Sequence, residues 1–216
     1  MKKALIIWGG WKGHEPEQVA AILAVQLKTN GFDVEVSNAL DALLDADKLA
    51  ATDLIVPEVT MSTITKEQLA GLLGAVRAGT GLAGLHGGMG DSFRQETEYQ
   101  FMVGGQWVAH PGGIVRYTVN VADPADAVMQ DIGDFEMESE QYYLHVDPSN
   151  HVLATTTFSG EHGGADWIAG CVMPVAWKRR YGKGRVFYSS LGHVAADLDV
   201  PQALAIITHG MLWAAR

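Results

Sequence analysis

Three of the eight histidines, His14, His86 and His193, share a context: each stands beside glycine where an apolar run that reads as a strand comes to its end. At neutral pH an imidazole serves as a base, a hydrogen-bond partner or a metal ligand, and only rarely as a covalent nucleophile. His86 has the most informative surroundings. In Gly84-Leu-His-Gly-Gly88 the spacing is that of a nucleophile elbow, where small flanking residues let a strained strand-to-helix turn present one side chain at its apex. Here the apex is histidine, in a chain whose single cysteine, Cys171, has no such turn around it and reads as a core thiol.

Neutral imidazoles with one carboxylate suit Zn²⁺ or another divalent transition metal that keeps an open position for water or substrate. His14, His86 and His193 are the candidate metal ligands. Glu140, in Glu138-Ser-Glu-Gln-Tyr-Tyr143, is the carboxylate placed between two strand signals where it could point into a cleft. With no His-Glu-x-x-His motif, the metal rests on expected convergence alone. The same groups also suit general acid–base work without metal, with His86, His193 and Glu140 as the catalytic set and Glu140 and His193 sharing a proton with substrate. The ordinary alternative for His86 is a buried ring bonded to a carbonyl, for His14 and His193 an idle histidine in a surface loop, and for Glu140 a solvated turn carboxylate. His145, His151, His162 and His209 read as structural or solvated.

Aromatic residues crowd these stretches: Trp8, Trp11, Trp107, Tyr142, Tyr143 and Trp177. Aromatic faces beside polar groups suit sugar rings, which stack on one face and hydrogen-bond through their hydroxyls. Trp11 and Trp107, in glycine-rich loops, with Tyr142 and His110, are the candidate substrate-binding residues, although ordinary packing is the better explanation of any one aromatic taken alone.

The elements that must hold these groups alternate through the first half of the chain. Residues 3–8 are an unbroken apolar run, expected of a parallel strand covered on both faces. A helix follows over 15–30, with Pro16 in its first turn and Gly31 at its end. Strands are expected at 32–37, 53–57 and up to His86, a short helix or turns over 41–51, and a helix over 66–78 capped by Thr65. This alternation specifies a doubly wound, mostly parallel sheet, which binds ligands beyond the carboxyl ends of its strands. The second half reads as a glycine-rich loop over 104–113, a strand over 114–121, a helix over 124–129, and short strands over 135–138, 142–146 and 152–158 that form a small antiparallel extension. A loop over 159–165, a hairpin of 171–178 with 184–190 turning around 179–184, and a closing helix over 200–215 complete the chain.

The 216 residues, 48% hydrophobic and 19% charged, suit one domain spanning 1–216. A net charge of −10 argues against nucleic acid or an anionic membrane surface as partner. A lone cysteine, an N-terminal apolar run too short for a signal peptide, and no run approaching a membrane span make a cytoplasmic protein the expectation. Self-association into a homo-oligomer stays open, and no nucleotide cofactor is expected.

Taken in order, Trp8-Gly-Gly-Trp-Lys-Gly-His14, Gly81-Leu-Ala-Gly-Leu-His86-Gly-Gly, Gly104-Gly-Gln-Trp-Val-Ala-His110-Pro, Glu140-Gln-Tyr142 and Tyr181-Gly-Lys-Gly-Arg-Val-Phe-Tyr-Ser-Ser-Leu-Gly-His193 resemble the ThuA-like (trehalose utilisation) family over essentially the whole chain. The resemblance implies a flavodoxin-like fold of the class I glutamine amidotransferase type. It also implies a role in carbohydrate metabolism, with a trehalose-like disaccharide or a 3-keto-glycoside as substrate. Two departures matter. His86 stands where the amidotransferases carry cysteine, and Val194 follows His193 where they have Pro-Glu, so thioester chemistry on glutamine is not expected. Where the family often has Asp-Glu-Leu-Tyr, this chain has Ser139-Glu-Gln-Tyr142, so Glu140 and Tyr142 carry over and an aspartate role does not. The first expectation is an enzyme, hydrolytic, lyase-like or isomerising. The second is a non-catalytic sugar-binding or regulatory module on the same fold.

Overall fold

The computed structural model describes residues 1–216. Its first half alternates as the apolar pattern requires: β1 (Lys2–Gly10), α1 (Pro16–Thr29), β2 (Phe32–Ser37), α2 (Ala46–Ala51), β3 (Leu54–Thr60), α3 (Lys66–Ala78) and β4 (Gly81–Leu85). The elbow then opens α4 (His86–Gly90), followed by α5 (Thr97–Val103). The second half contributes β5 (Gly105–Ala109), β6 (Ile114–Val121), β7 (Phe135–Glu140), β8 (Tyr143–Val146), β9 (His151–Thr157), β10 (Val172–Tyr181), β11 (Gly184–Ser189) and α6 (Pro201–Ala214).

Nine strands form one sheet in the order β2-β1-β3-β4-β11-β10-β9-β6-β7, and β5 pairs with β8 in a second, two-stranded sheet. From β2 to β11 the pairing is parallel. From β11 to β7 it is antiparallel. Helices cover both faces of the parallel part, so its strands must be apolar on both sides, and every residue of β3 is buried. Two apolar clusters result. One gathers α1 and α6 with Ile6, Val56 and Phe187; the other gathers α3 with Leu5, Ile55 and Trp177.

Local chemistry sets several boundaries. Thr65 accepts from the Gln68 amide while the Gln68 side chain accepts from the Thr65 amide, a reciprocal cap that starts α3 where expected. The β10–β11 turn is tighter than the 179–184 span read from sequence, because Gly182 at φ +60° lets β10 run on to Tyr181. Three readings are corrected. Residues 105–109 are not loop but strand, paired with β8. Their run Gly-Gln-Trp-Val-Ala shows no apolar–polar alternation, and only Gly105 is fully buried. The helix over 124–129 reduces to a single 3₁₀ turn, Ala127–Met129, because the Asp126 carboxylate caps the Val128 amide and fixes the turn locally. Helix α5 is additional to the elements expected: its seven residues mix polar and apolar side chains, and only Tyr99, Met102 and Val103 are buried. Cys171 lies half-buried at the border of the second cluster rather than within it.

Candidate functional site

Four chain segments deliver the candidate residues to one rim of the sheet. His14 ends the 3₁₀ turn that follows β1, and Nδ1 of its buried ring lies 2.8 Å from the Thr60 hydroxyl at the end of β3. His86 opens α4 directly after β4 with φ +43°, the strained left-handed conformation that the elbow spacing implies. The elbow closes only because its neighbours lack side chains. A Cβ on Gly88 would lie 2.1 Å from the Glu58 carboxylate, and one on Gly87 would lie 2.5 Å from the His14 ring. His193 follows β11, and its amide donates to Asp197 Oδ2 at 2.9 Å. Glu140 is the last residue of β7, at the outer edge of the sheet.

These side chains meet. The donor atoms of His14, His86, Glu140 and His193 all lie within 4.8 Å of one another. The rings of His14, His86 and His193 stand 4.8, 5.1 and 5.3 Å apart, edge to face. Glu140 Oε2 is 3.1 Å from His86 Nε2 and 3.3 Å from His193 Nδ1, while Oε1 is 3.5 Å from His110 Nε2. His110 is thus brought to the carboxylate but lies outside the four-donor cluster.

Burial governs the electrostatics. Desolvation holds His86 below its ordinary value, against contacts with Glu140 and Ser190 that favour its protonated form. Desolvation, with His86 and His193 alongside, lowers His14 to about 3. The Glu140 contact raises His193. Burial pushes Glu140 up, but His193 and His86 outweigh it and hold the carboxyl well below the usual carboxylate range. The result is an ionised Glu140 facing a neutral His86.

That combination leaves His86 short of one positive partner. Its Nδ1 is 2.8 Å from the Ser190 carbonyl and its Nε2 is 3.1 Å from Glu140 Oε2. A neutral imidazole has one N–H, so with two oxygen acceptors flanking the ring one lone pair must oppose an oxygen. His193 Nδ1 is likewise buried, and its 3.3 Å contact with Glu140 Oε2 lacks the alignment of a hydrogen bond. A dication among these donors would satisfy both. Two ligands held at about 2.0–2.2 Å by one tetrahedral ion lie roughly 3.3–3.6 Å apart, close to the separations around Glu140. The Nδ1–H to carbonyl bond of His86 and the Thr60 contact of His14 are the outer supports that metal-bound histidines normally carry. The donor set fits a divalent transition metal.

In front of the cluster is a cavity of about 370 Å³, lined by Trp11, His14, Met61, Asp91, Trp107, His110, Glu140 and Tyr142. His86 and His193 lie behind this lining. Tyr142 covers His86, its ring stacked 3.9 Å away at 28°, and His86 is only 1% exposed. Trp107 packs against the guanidinium of Arg94, which the Asp91 carboxylate holds through paired contacts. Trp8 and Trp177 face the core instead, where the Trp177 indole donates to the Val103 carbonyl. His145 and His151 are exposed, His151 beside Asp123, and His209 bonds the Val128 carbonyl.

Sequence reasoning missed the braces around these residues. Asp197 Oδ2 accepts from both the His193 amide and the Ser139 hydroxyl, so it ties the segments on either side of the cluster. Glu15 accepts from the Ala195 amide and ties the His14 turn to the His193 segment. Asp91, Arg94 and Met61 were also unmarked. The one available signal lies in the backbone: four of the five non-glycine residues at positive φ, Glu15, Met61, His86 and Phe93, fall at or beside this site. No sequence pattern announces these.

The family model described as "Trehalose utilisation" matches residues 3–214. A ThuA-like protein from Parabacteroides merdae ATCC 43184 superposes with a TM-score of 0.80 at 18% identity, over 99% of this chain and 89% of that one. A second from Bacteroides uniformis ATCC 8492 gives 0.81 at 16% identity, over 99% and 91%. A cytoplasmic protein from Salmonella typhimurium LT2 gives 0.70 at 13%, over 99% and 100%. No curated protein matches the chain. No helix is long and apolar enough to cross a membrane. With a matching model over nearly its whole length and the mixed α/β sheet on which such proteins are built, the chain belongs to the ThuA trehalose-utilisation family.

Proposed function

We propose that this chain is a cytoplasmic, metal-dependent enzyme of carbohydrate metabolism, acting on a trehalose-like disaccharide or a 3-keto-glycoside. Family membership supports the carbohydrate role. The observation that carries the metal is His86, which has one N–H for two flanking oxygens, the Ser190 carbonyl at Nδ1 and the Glu140 carboxylate at Nε2. His14, His86, His193 and Glu140 hold the ion. Bound there, it supplies Lewis-acid polarisation of a substrate oxygen, or a water ionised near neutral pH.

The residues then divide by access. His86, covered by Tyr142 and nearly without exposure, orients and holds rather than touching substrate. His193 does the same from behind Glu140. His110 opens on the cavity with about a third of its side chain exposed (36%), and it is the imidazole free to carry a proton to or from the sugar. The C–H beside the ketone of a keto-glycoside is acidic, and His110 takes that proton. Trp107 and Tyr142 shield the reacting carbons from bulk water, and Trp11 stands exposed at the mouth of the cavity.

Elemental analysis of protein purified without a histidine tag is the direct test. About one equivalent of a transition metal is expected, lost in His86→Ala and Glu140→Gln, together with turnover of keto-glycosides or disaccharides that chelation abolishes. Wild-type protein that neither retains nor takes up Zn²⁺, Mn²⁺, Fe²⁺ or Co²⁺ at micromolar concentration would overturn the metal. Metal uptake without turnover, but with sugar binding that survives His110→Gln, would leave a binding module.

A further inference from the structure

The cavity in front of the donor cluster is polar at its floor and apolar at its mouth. His14, Asp91 and Glu140 are 5%, 3% and 8% exposed, whereas Trp11 and Met61 in the same lining are 49% and 60% exposed. Asp91 is occupied by Arg94, so the unspent polar groups lie inward and the outer end offers an indole face and a thioether.

These two side chains are held in place rather than left over. β1 and β3 run parallel with Gly10 opposite Thr60, so Trp11 and Met61 leave adjacent strand ends side by side. The Trp11 amide donates to the Thr60 carbonyl, and the Met61 amide to the Asp91 carbonyl. The indole lies over Gly13, where a Cβ would approach its ring carbons to 2.3 Å, and meets the His14 ring edge-on at 4.7 Å. Met61 sits at φ +53°, a left-handed conformation that is strained for a non-glycine residue. Such strain persists only where the surroundings impose it, and it clusters at ligand sites. Here it holds an apolar side chain in water beside an exposed tryptophan.

We propose that Trp11 and Met61 are an aglycone platform, and that the substrate is a glycoside whose leaving group is aromatic rather than a second sugar. This rests on the sugar reading of the same cavity. An aromatic ring stacks on indole and takes a thioether contact at its edge, and neither needs a hydrogen-bond partner. A second sugar in that position would leave hydroxyls facing two side chains that give them nothing.

Calorimetric titration of the intact protein, in its native metal state, with phenyl β-D-glucopyranoside, methyl β-D-glucopyranoside and trehalose tests this. The phenyl glycoside is expected to bind about tenfold or more tighter than the methyl one, the return on burying most of a ring. The gap should narrow severalfold in Trp11→Ala and again in Met61→Asn, asparagine being a residue that tolerates positive φ, with metal content and melting temperature retained. Equal binding of the two glucosides, or a preference that survives both substitutions, overturns the platform alone. So does trehalose binding more tightly than the phenyl glycoside, which leaves the sugar reading standing. Failure of all three to bind removes the sugar reading and the platform with it.

Discussion

The two halves of the main sheet build the site in different ways. The parallel half delivers its groups from strand ends: His14 after β1, Thr60 at the end of β3, His86 after β4 and His193 after β11. Each is fixed by a strand buried on both faces, and His14 and His86 bond a neighbouring strand or the segment after it. The antiparallel half and the small sheet deliver Glu140, Tyr142, Trp107 and His110 from the edge strand β7, the link to β8, and β5 with the turn after it. A parallel core thus supplies convergent imidazoles, and an antiparallel flap supplies the charge that binds them together and the walls that meet substrate. Glu140 is the bridge, since its Oε2 reaches the parallel half and its Oε1 reaches His110.

Cutting that bridge should have the largest effect. Glu140→Gln removes the anion that would face the dication, and loss of one partner from a buried charged pair costs about 3–5 kcal/mol, or roughly two to four orders of magnitude in metal affinity. Competition with a chelator of known affinity measures it, and a variant that keeps wild-type affinity would mean that the halves are joined some other way. His110→Gln touches only the flap. It should keep full metal content and lose about 10²–10⁴ in kcat, so a drop in metal content would assign His110 to the wrong side of the comparison.

Next come changes within the parallel half that touch no proposed ligand. Gly88→Ala forces a methyl group into the Glu58 carboxyl group, which is fully buried with Oε2 unpartnered. Overpacking of this kind costs about 1–3 kcal/mol, read as a lower urea midpoint at unchanged m value. Asp197→Ala removes one acceptor shared by Ser139 and His193, the second link between the halves. An outer support of this sort is worth about 10–100-fold in metal affinity. Asp197→Asn, which keeps an acceptor oxygen, should recover most of it.

The same division explains what the sequence made legible. Strand-glycine-histidine is a local pattern, and the doubly wound rule places such ends at one rim, so the three imidazoles of the parallel half could be expected to converge before any coordinates. Glu140 was recognisable only as a carboxylate between strand signals, because its position depends on β7 pairing with β6 far along the sheet. The braces were illegible for a related reason. Asp197 is one acidic residue in a short turn, and nothing near it says that its carboxylate serves Ser139, fifty-eight positions away. Strand β5 hid as well, since its burial does not alternate from residue to residue and its partner β8 lies more than thirty positions on. Convergence through local turns is written in short stretches of sequence, whereas convergence through register is not.

The smallest expected effect lies wholly within the antiparallel half, far from the imidazoles. Asp147, between β8 and β9, accepts from the Ser149 amide and pairs with Arg179 of β10 at 3.0 Å. The Ser149 backbone contact first, then the Ser149 hydroxyl and Arg179, lower its carboxyl to about 2. A carboxyl depressed in the folded state stabilises above its unfolded value and loses that contribution as pH falls through the folded one. Wild type should therefore melt slightly above Asp147→Asn at pH 7, and the difference should shrink between about pH 4 and pH 2. Asp147 keeps a quarter of its side chain in solvent (25%), so solvent partly screens the ion pair and the difference should shrink further in high salt. Metal affinity should not change at any of these pH values relative to wild type. If it did, the outer face of the flap would be coupled to the donor cluster, and the two halves would no longer be separable in the way their strand pairing suggests.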